Sequence, residues 1–155
     1  PCNTAHYWYE DLQRRINIPI INMPKEVFLY TKKNCKQSSK IGLLATEGTL
    51  KTKIYDKFFK KNFTIIKPTQ KLQLQSVNKT IKHVKMGNVK LGEKSIKPAI
   101  DYLLKQKCKK IILGCTELPI AIFAFKSFKK AGLSKIFLDP NLILATSSMT
   151  KYNKK

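Results

Sequence analysis

The chain has 155 residues, of which 43% are hydrophobic, and its formal net charge is +22, from 31 Lys and Arg against 9 Asp and Glu. A chain of this length buries roughly two thirds of its unfolded surface, so the composition fits a globular protein with a real core. No apolar run is long enough to span a bilayer, which excludes a membrane-spanning helix from the prediction.

Helix and strand patterns alternate along the chain. The sequence predicts, in order, a helix over 3–15, an apolar run over 18–21, a helix over 25–33, a strand over 41–45, a helix over 50–61, a strand over 63–66, helices over 72–86 and 96–107, a strand over 110–113, a helix over 118–128, an apolar run over 135–138 and a helix over 142–151. This alternation predicts an α/β protein with a largely parallel sheet. Such sheets bind ligands at the carboxyl ends of their strands.

Two cysteines stand at the starts of predicted helices. Cys115 follows a short apolar run and Gly114, and Pro119 suits the first helical turn, where a missing N–H costs nothing. Unpaired backbone N–H groups and the helix dipole favour a thiolate at such a position. A shift of the pKa from about 8.5 to about 7 would raise the thiolate fraction at pH 7 from about 3% to roughly half. We therefore expect Cys115 to have a lowered pKa and to serve as a base.

The segment that Cys2 opens repeats this arrangement. After Cys2 come a helix, the apolar run 18–21, the residues 22–24 (Asn-Met-Pro) and a further helix. After Cys115 come a helix, the apolar run 135–138, the residues 139–141 (Asp-Pro-Asn) and a further helix. This pattern indicates a degenerate internal repeat of two copies, with one cysteine in each copy. Two bases related by approximate two-fold symmetry suit racemisation or epimerisation, in which a proton leaves one face of a carbon and returns to the other.

Three motifs connect the chain to a known family. They are PCNTAHYWY at 1–9, LLATEGT at 43–49 with Tyr55 six residues on, and LGCTELP at 113–119. Together they resemble the aspartate/glutamate racemase family, and most closely its aspartate racemase branch. Glutamate racemases usually carry histidine where Glu117 stands, which favours the aspartate or broad-specificity branch. The resemblance covers essentially all 155 residues, but family members also have a Gly-rich strand and helix region before the first cysteine.

The resemblance implies a fold of two pseudo-symmetric, Rossmann-like parallel-sheet lobes with the active site between them. Residues 1–33 and 140–155 would belong to the first lobe, which is incomplete in this chain, and residues 34–139 would form the second. Family members often dimerise, so the resemblance also allows a homodimer.

The resemblance also implies the reaction and its residues. Cys2 and Cys115 would be the catalytic pair, with one thiolate removing the α-proton of an amino dicarboxylate and the other thiol returning a proton. No cofactor is needed, no lysine motif for pyridoxal phosphate is evident, and no metal is expected. The positions that match substrate-binding residues of the family are Asn3, Thr4, Thr46, Thr49, Thr116 and, for the distal carboxylate, Lys85.

Simpler roles are open for several of these residues. Thr46 and Thr49 would also serve as caps of a helix beginning at Leu50, and a lysine is usually solvated surface. His6 would pack beneath the site or bond to backbone more readily than it would activate Cys2. Without the family, Cys115 itself would more often be a small buried hydrophobe.

The charge and the cysteine pattern bear on partners and location. Lysines are spread over nearly every predicted element, and Arg occurs only at Arg14 and Arg15, so we expect no nucleic-acid partner. A positive field would still help to attract a dicarboxylate. Cys2, Cys35, Cys108 and Cys115 show no Cys-x-x-Cys spacing, which argues against a zinc site or a redox pair. No export signal is visible, so reduced thiols and a cytoplasmic location are expected.

The sequence thus favours a cofactor-independent aspartate racemase. A broad-specificity or glutamate racemase is the first alternative. A non-catalytic remnant and a basic nucleic-acid-binding protein are the others, each from a different class of function.

Overall fold

Four parallel strands form the sheet of the protein, which a computed structural model describes at residues 1–124, 127–130 and 132–152. The strands are β1 (Lys40–Ala45), β2 (Thr64–Ile66), β3 (Lys110–Gly114) and β4 (Phe137–Leu138), in the order β2-β1-β3-β4. All three neighbouring pairs are parallel. The predicted α/β class with a parallel sheet is therefore confirmed, whereas the division into two lobes stays a prediction.

Helices connect these strands. A 3₁₀ helix at Thr4–Trp8 leads into α1 (Tyr9–Arg15), and the helices that follow are α2 (Met23–Asn34), α3 (Glu47–Lys51), α4 (Asp56–Phe59), α5 (Gln70–Leu72), α6 (Lys79–Lys85), α7 (Val89–Lys105), α8 (Glu117–Phe123), α9 (Ser127–Lys130) and α10 (Pro140–Tyr152). A π-helical segment, Gln73–Asn78, joins α5 to α6, and a 3₁₀ turn, Ser134–Ile136, precedes β4. No helix among the described residues is both long and apolar enough to cross a membrane.

The core lies on both faces of the sheet. Successive side chains of a strand point to opposite faces, so Ile111 and Leu113 pack on one side with α7, while Ile112 packs on the other with Tyr55 and Phe59. Strands buried on both faces explain why β1 and β3 read as continuous apolar runs in the sequence.

Several predicted helices have different bounds in the structure. The helix predicted over 50–61 is split into α3 and α4, because Lys53 between them has the left-handed φ of 53°, which interrupts a helical ladder. The helix predicted over 96–107 begins earlier, at Val89, and continues through Pro98. The helix predicted to reach 128 ends at Phe123.

The apolar run 18–21 does not form a strand. No strand of the described chain pairs with this segment, and Ile18 is 74% exposed. Its backbone bonds locally, since the N–H of Ile20 donates to Gln13 Oε1 at 2.7 Å. Pro19 has no N–H to offer a neighbouring strand. Of the two apolar runs that follow the cysteine helices, only the second therefore contains a strand, β4.

The helices α2 and α10 pack against each other. Glu26 of α2 is buried there, and its carboxylate accepts hydrogen bonds from Ser147 Oγ and Lys151 Nζ, each at 2.5 Å. At the start of α2, Asn22 Oδ1 accepts from the N–H of Lys25 at 3.0 Å and caps the helix. A partly buried polar contact thus joins α2 to α10.

Candidate active site

The carboxyl ends of β1 and β3 lie side by side. Ala45 pairs with Gly114, so the residues that follow them, Thr46 and Cys115, leave the sheet at the same edge. A Cβ on Gly114 would lie 3.0 Å from the Cβ of Ala45 and 3.2 Å from the carbonyl oxygen of Leu44. Glycine at this position therefore allows the two strands to end close together.

Three threonine hydroxyls form a cluster at this edge. Thr4 Oγ1 lies 2.8 Å from Thr49 Oγ1 and 3.3 Å from Thr46 Oγ1, and the last two are 3.1 Å apart. Thr46 also caps α3, because its Oγ1 accepts from the N–H of Thr49 at 3.3 Å. Thr46 thus both caps the helix and belongs to the hydroxyl cluster. The helix begins at Glu47 rather than at the predicted Leu50.

Asn3 ties the segment after Cys2 to the same edge. Its side chain is only 3% exposed, and its Oδ1 accepts a hydrogen bond from the hydroxyl of Tyr55 at 2.5 Å. Burial, helped by the negative charge of Asp139, raises the pKa of Tyr55, so the phenol keeps the proton that it donates. Asn3 Nδ2 is buried without a partner among the described residues. The first and second sequence motifs therefore meet in space through Asn3, Thr4 and Tyr55.

Cys115 forms a second group of contacts on the other side of this edge. Its side chain is 8% exposed, and Sγ donates to Glu117 Oε2 at 2.8 Å. The hydroxyl of Thr116 donates to the same oxygen at 3.0 Å. Lys85 of α6 places its Nζ 3.8 Å from the other oxygen, Oε1. One carboxylate therefore links Cys115, Thr116 and Lys85.

The expected low pKa of Cys115 was wrong. Burial, followed by the hydrogen bond to Glu117, raises the pKa of Cys115 to about 12. Burial opposes ionisation of Glu117 as well, but the hydrogen bonds from Cys115 and Thr116, its own backbone N–H and the charge of Lys85 hold its pKa below the usual value. The carboxylate sits in the first turn of α8, where it offsets the helix dipole on which the expectation depended. At neutral pH Cys115 is therefore a thiol, which suits a proton donor.

Cys2 has different surroundings. It is exposed, and its carbonyl oxygen lies 2.8 Å from His6 Nδ1. This contact engages the backbone of Cys2 and not its thiol, which is the simpler of the two roles considered for His6. Because Cys2 directly precedes the docked residues Asn3 and Thr4, it belongs to the same edge of the sheet as Cys115.

A cavity of about 360 Å³ adjoins both groups of contacts. Its lining includes Thr46 from the hydroxyl cluster and Lys85 from the group around Cys115, together with Asn78, Ile81, Lys82 and Met86. The structure thus brings six of the predicted residues into two groups beside one cavity: Asn3, Thr4, Thr46 and Thr49 in one, and Cys115 with Thr116 in the other. Lys85 joins the second group through Glu117, and Cys2 adjoins the first through the chain.

Glu117 is the residue that the sequence prediction left without a role at the site. In the sequence, Glu117 favours the aspartate or broad-specificity branch of the racemase family. Its position two residues after Cys115 is the only sequence feature that indicates a chemical role. Among the residues that the structure describes, no group of three or more His, Cys, Asp or Glu is arranged to hold a metal ion.

A parallel sheet with hydroxyls, a thiol and a lysine beside a cavity at its carboxyl edge defines an α/β protein with a candidate small-molecule site. The sequence model of the Asp/Glu/Hydantoin racemase family matches residues 1–147. The chain therefore belongs to that family, and the resemblance drawn from the three motifs is confirmed.

Three similar proteins illustrate the relationship. The broad specificity amino-acid racemase RacX of Bacillus subtilis is 27% identical over 152 residues, which are 98% of this chain and 63% of the relative. A glutamate racemase of Persephonella marina is 29% identical over 161 residues, or 99% of this chain and 55% of the relative. The solved structure of Picrophilus torridus aspartate racemase matches with a TM-score of 0.75 and 26% identity, over 97% of this chain and 59% of that protein. The chain spans about three fifths of the length of these proteins.

Proposed function

We propose that the protein takes part in a cofactor-independent racemisation of aspartate, in which Cys2 and Cys115 exchange protons with the α-carbon. The observation that carries this proposal is the contact of Thr4 Oγ1 with Thr49 Oγ1 at 2.8 Å, which holds the segment after Cys2 at the edge where Cys115 leaves β3. Family membership and the similarity to an aspartate racemase support it.

In each turnover the α-carbon of the substrate loses one proton and gains another. The thiolate of one cysteine removes the α-proton and becomes a thiol, while the thiol of the other protonates the opposite face and becomes a thiolate. The product is the mirror image of the substrate, and the roles of the cysteines are exchanged for the reverse reaction. The protonated state of Cys115 suits it to the role of acid in the protein without substrate.

The α-carboxylate needs hydrogen-bond donors so that negative charge developing on the deprotonated carbon is stabilised. In the proposal, the hydroxyls of Thr4, Thr46, Thr49 and Thr116 and the amide of Asn3 supply these donors. Lys85 binds the distal carboxylate, because its side chain is 65% exposed and lines the same cavity as Thr46. The substrate is thus an amino dicarboxylate.

The direct test uses the protein expressed from its entire reading frame. It is incubated with L-aspartate in D₂O without added cofactor, the enantiomers are resolved, and the deuterium content is measured by mass spectrometry. We expect D-aspartate that carries one deuterium at the α-carbon. Failure to form D-aspartate would overturn the proposal, and loss of turnover after hydroxylamine treatment would overturn its independence from pyridoxal phosphate.

A broad-specificity or glutamate racemase is the second candidate, which the similarity to RacX and to a glutamate racemase favours. Parallel assays with L-glutamate and with an amino acid that lacks a distal carboxylate distinguish the candidates. If Lys85 binds the distal carboxylate, Lys85→Ala raises KM for aspartate by about tenfold, which corresponds to 1.4 kcal/mol, and has little effect on the substrate that lacks this group. Lys82→Ala, which alters the same cavity wall, is the matched control.

A further inference from the structure

We propose that Glu117 is a positioning residue that holds Cys115 as a thiol, so that the protein without substrate is set to donate a proton from Cys115. The kinetic part of this inference rests on the proposed racemisation, whereas the protonation of Cys115 is measurable without any turnover.

The geometry around Glu117 supports this role. Oε2 accepts both the S–H of Cys115 at 2.8 Å and the O–H of Thr116 at 3.0 Å. The second bond fixes the carboxylate in the orientation that receives the first. Because its pKa is lowered, Glu117 is a carboxylate and can only accept, so the proton of the contact with sulfur is on Cys115. Were Cys115 ionised, two negative atoms would face each other at this distance.

The two charged side chains that act on Cys115 differ in their exposure to solvent. Among the described residues these charges are Glu117, on α8, and Lys85, on α6. The side chain of Glu117 is 18% exposed and touches the thiol, whereas that of Lys85 is 65% exposed and faces the far carboxylate oxygen. Water screens the lysine more than it screens the carboxylate. Burial of the thiol adds to the effect of Glu117, and both favour the neutral form.

Among the described contacts of Cys2, none places a carboxylate against its thiol. Its contact with His6 is made by the carbonyl oxygen, and its side chain is exposed. The two cysteines therefore differ before substrate binds, although the reaction treats them as equivalent. Enantiomers have equal free energies, so kcat/KM must be the same in both directions. The asymmetry must instead be visible in kcat and KM taken separately.

The first test measures the protonation of Cys115 directly. The rate of alkylation by iodoacetamide is followed for the Cys115 and Cys2 peptides by mass spectrometry between pH 6 and pH 11, in the wild type and in Glu117→Gln. Glutamine keeps the shape of the side chain and an acceptor oxygen but removes the charge. We expect the midpoint for Cys115 to fall by about one pH unit or more, which is about tenfold faster alkylation at pH 8. The alkylation rate of the Cys2 peptide should be the same in the two proteins.

Glu47→Gln is the matched control, because Glu47 begins α3 at the same edge and accepts from Asn78 Nδ2 at 2.8 Å instead of from a cysteine. It should leave the Cys115 midpoint unchanged. Glu117→Asp keeps the charge on a shorter side chain and should give an intermediate midpoint. A Cys115 midpoint that is the same in Glu117→Gln and in the wild type would overturn the inference, whatever the protein catalyses.

The second test is kinetic. In Glu117→Gln we expect the ratio of kcat for L- to kcat for D-aspartate to change by about threefold or more, with kcat/KM still equal for the two enantiomers. An unchanged ratio alongside a shifted alkylation midpoint would overturn the kinetic part. A protein without racemase activity would fail the proposed function, while the alkylation profiles would still decide the role of Glu117.

Discussion

The segments that begin at Cys2 and at Cys115 have the same form in the sequence but different surroundings in the structure. Cys115 directly follows the central strand β3 and is buried, with its thiol bonded to Glu117. Cys2 precedes a 3₁₀ helix, is exposed, and is held through the side chains of Asn3 and Thr4. A sequence repeat can therefore place the same residue type twice, while the neighbours of each copy decide its protonation.

The difference extends beyond the cysteines. The residues after Cys115 enter α8, where Leu118 and Ile122 belong to the core on one face of the sheet. The residues after Cys2 form a 3₁₀ helix and α1, in which no residue is buried and the side chains of Tyr7, Trp8 and Leu12 are exposed. Side-chain hydrogen bonds thus matter more for the position of Cys2 than for that of Cys115.

Replacement of either cysteine should have the largest effect on activity. The proposed mechanism needs both side chains, so the two positions should be equally sensitive although their surroundings differ. Under the proposed mechanism, Cys2→Ser and Cys115→Ser each lower the racemisation rate by about 100-fold or more, since each removes the acid or the base. Formation of D-aspartate from L-aspartate measures this. Cys35→Ser, at a partly exposed cysteine outside the site, should keep the wild-type rate. Wild-type turnover in either of the first two variants would contradict the two-base mechanism.

The anchor of the Cys2 segment gives the largest expected effect on stability. Tyr55→Phe removes the donor to Asn3 Oδ1 and leaves a buried amide oxygen without its partner, at a cost of about 1–3 kcal/mol in the free energy of unfolding. Urea denaturation measures this cost, and hydrogen exchange should become faster over residues 2–15. Tyr30→Phe, at an exposed tyrosine of α2, is the control and should change stability by less than about 0.5 kcal/mol. Unchanged exchange over residues 2–15 in Tyr55→Phe would show that the contact does not hold the segment.

The sequence was sufficient to predict the sheet and the residues at its edge. The apolar runs at β1 and β3 are recognisable because strands buried on both faces need continuous hydrophobic residues. The threonines were named because they match substrate-binding positions of the family that the chain resembles, and Thr46 and Thr49 also fit the cap of a helix. The apolar runs are a local signal, whereas the binding role of the threonines was implied by the resemblance.

The failures depend on distant contacts. The apolar runs 18–21 and 135–138 look alike in the sequence, but only the second contains a strand, because a neighbouring strand is present there and hydrophobicity alone does not reveal it. The pKa of Cys115 was predicted from the helix start, but burial under the sheet edge and a carboxylate two residues away have the larger effect. Local patterns therefore located the catalytic candidates without predicting their ionisation.

The raised pKa of Cys115 predicts a dependence of stability on alkaline pH. The folded state favours the thiol, so its contribution to stability is complete below the unfolded pKa of about 8.5 and is lost as the pH rises towards 12. One group contributes a slope of at most about 1.4 kcal/mol per pH unit in this window. Urea denaturation between pH 8 and pH 10 should therefore show a steeper loss in the wild type than in Cys115→Ser. Cys2→Ser, at the exposed cysteine, should keep the wild-type slope, and parallel slopes for all three proteins would contradict the assignment.

The smallest expected effect concerns the hydroxyl cluster that joins the two segments. Thr4→Val keeps the methyl group that lies against Gly48 but loses the hydrogen bonds to Thr46 and Thr49. Those two hydroxyls still bond to each other at 3.1 Å, so the net cost should be about 0.5–1.5 kcal/mol, measured by urea denaturation. Thr146→Val, on the exposed side of α10, removes only a bond to its own helix and should cost less. If the two variants cost the same, the cluster does not contribute to holding the Cys2 segment, and Asn3 with Tyr55 would be its main anchor.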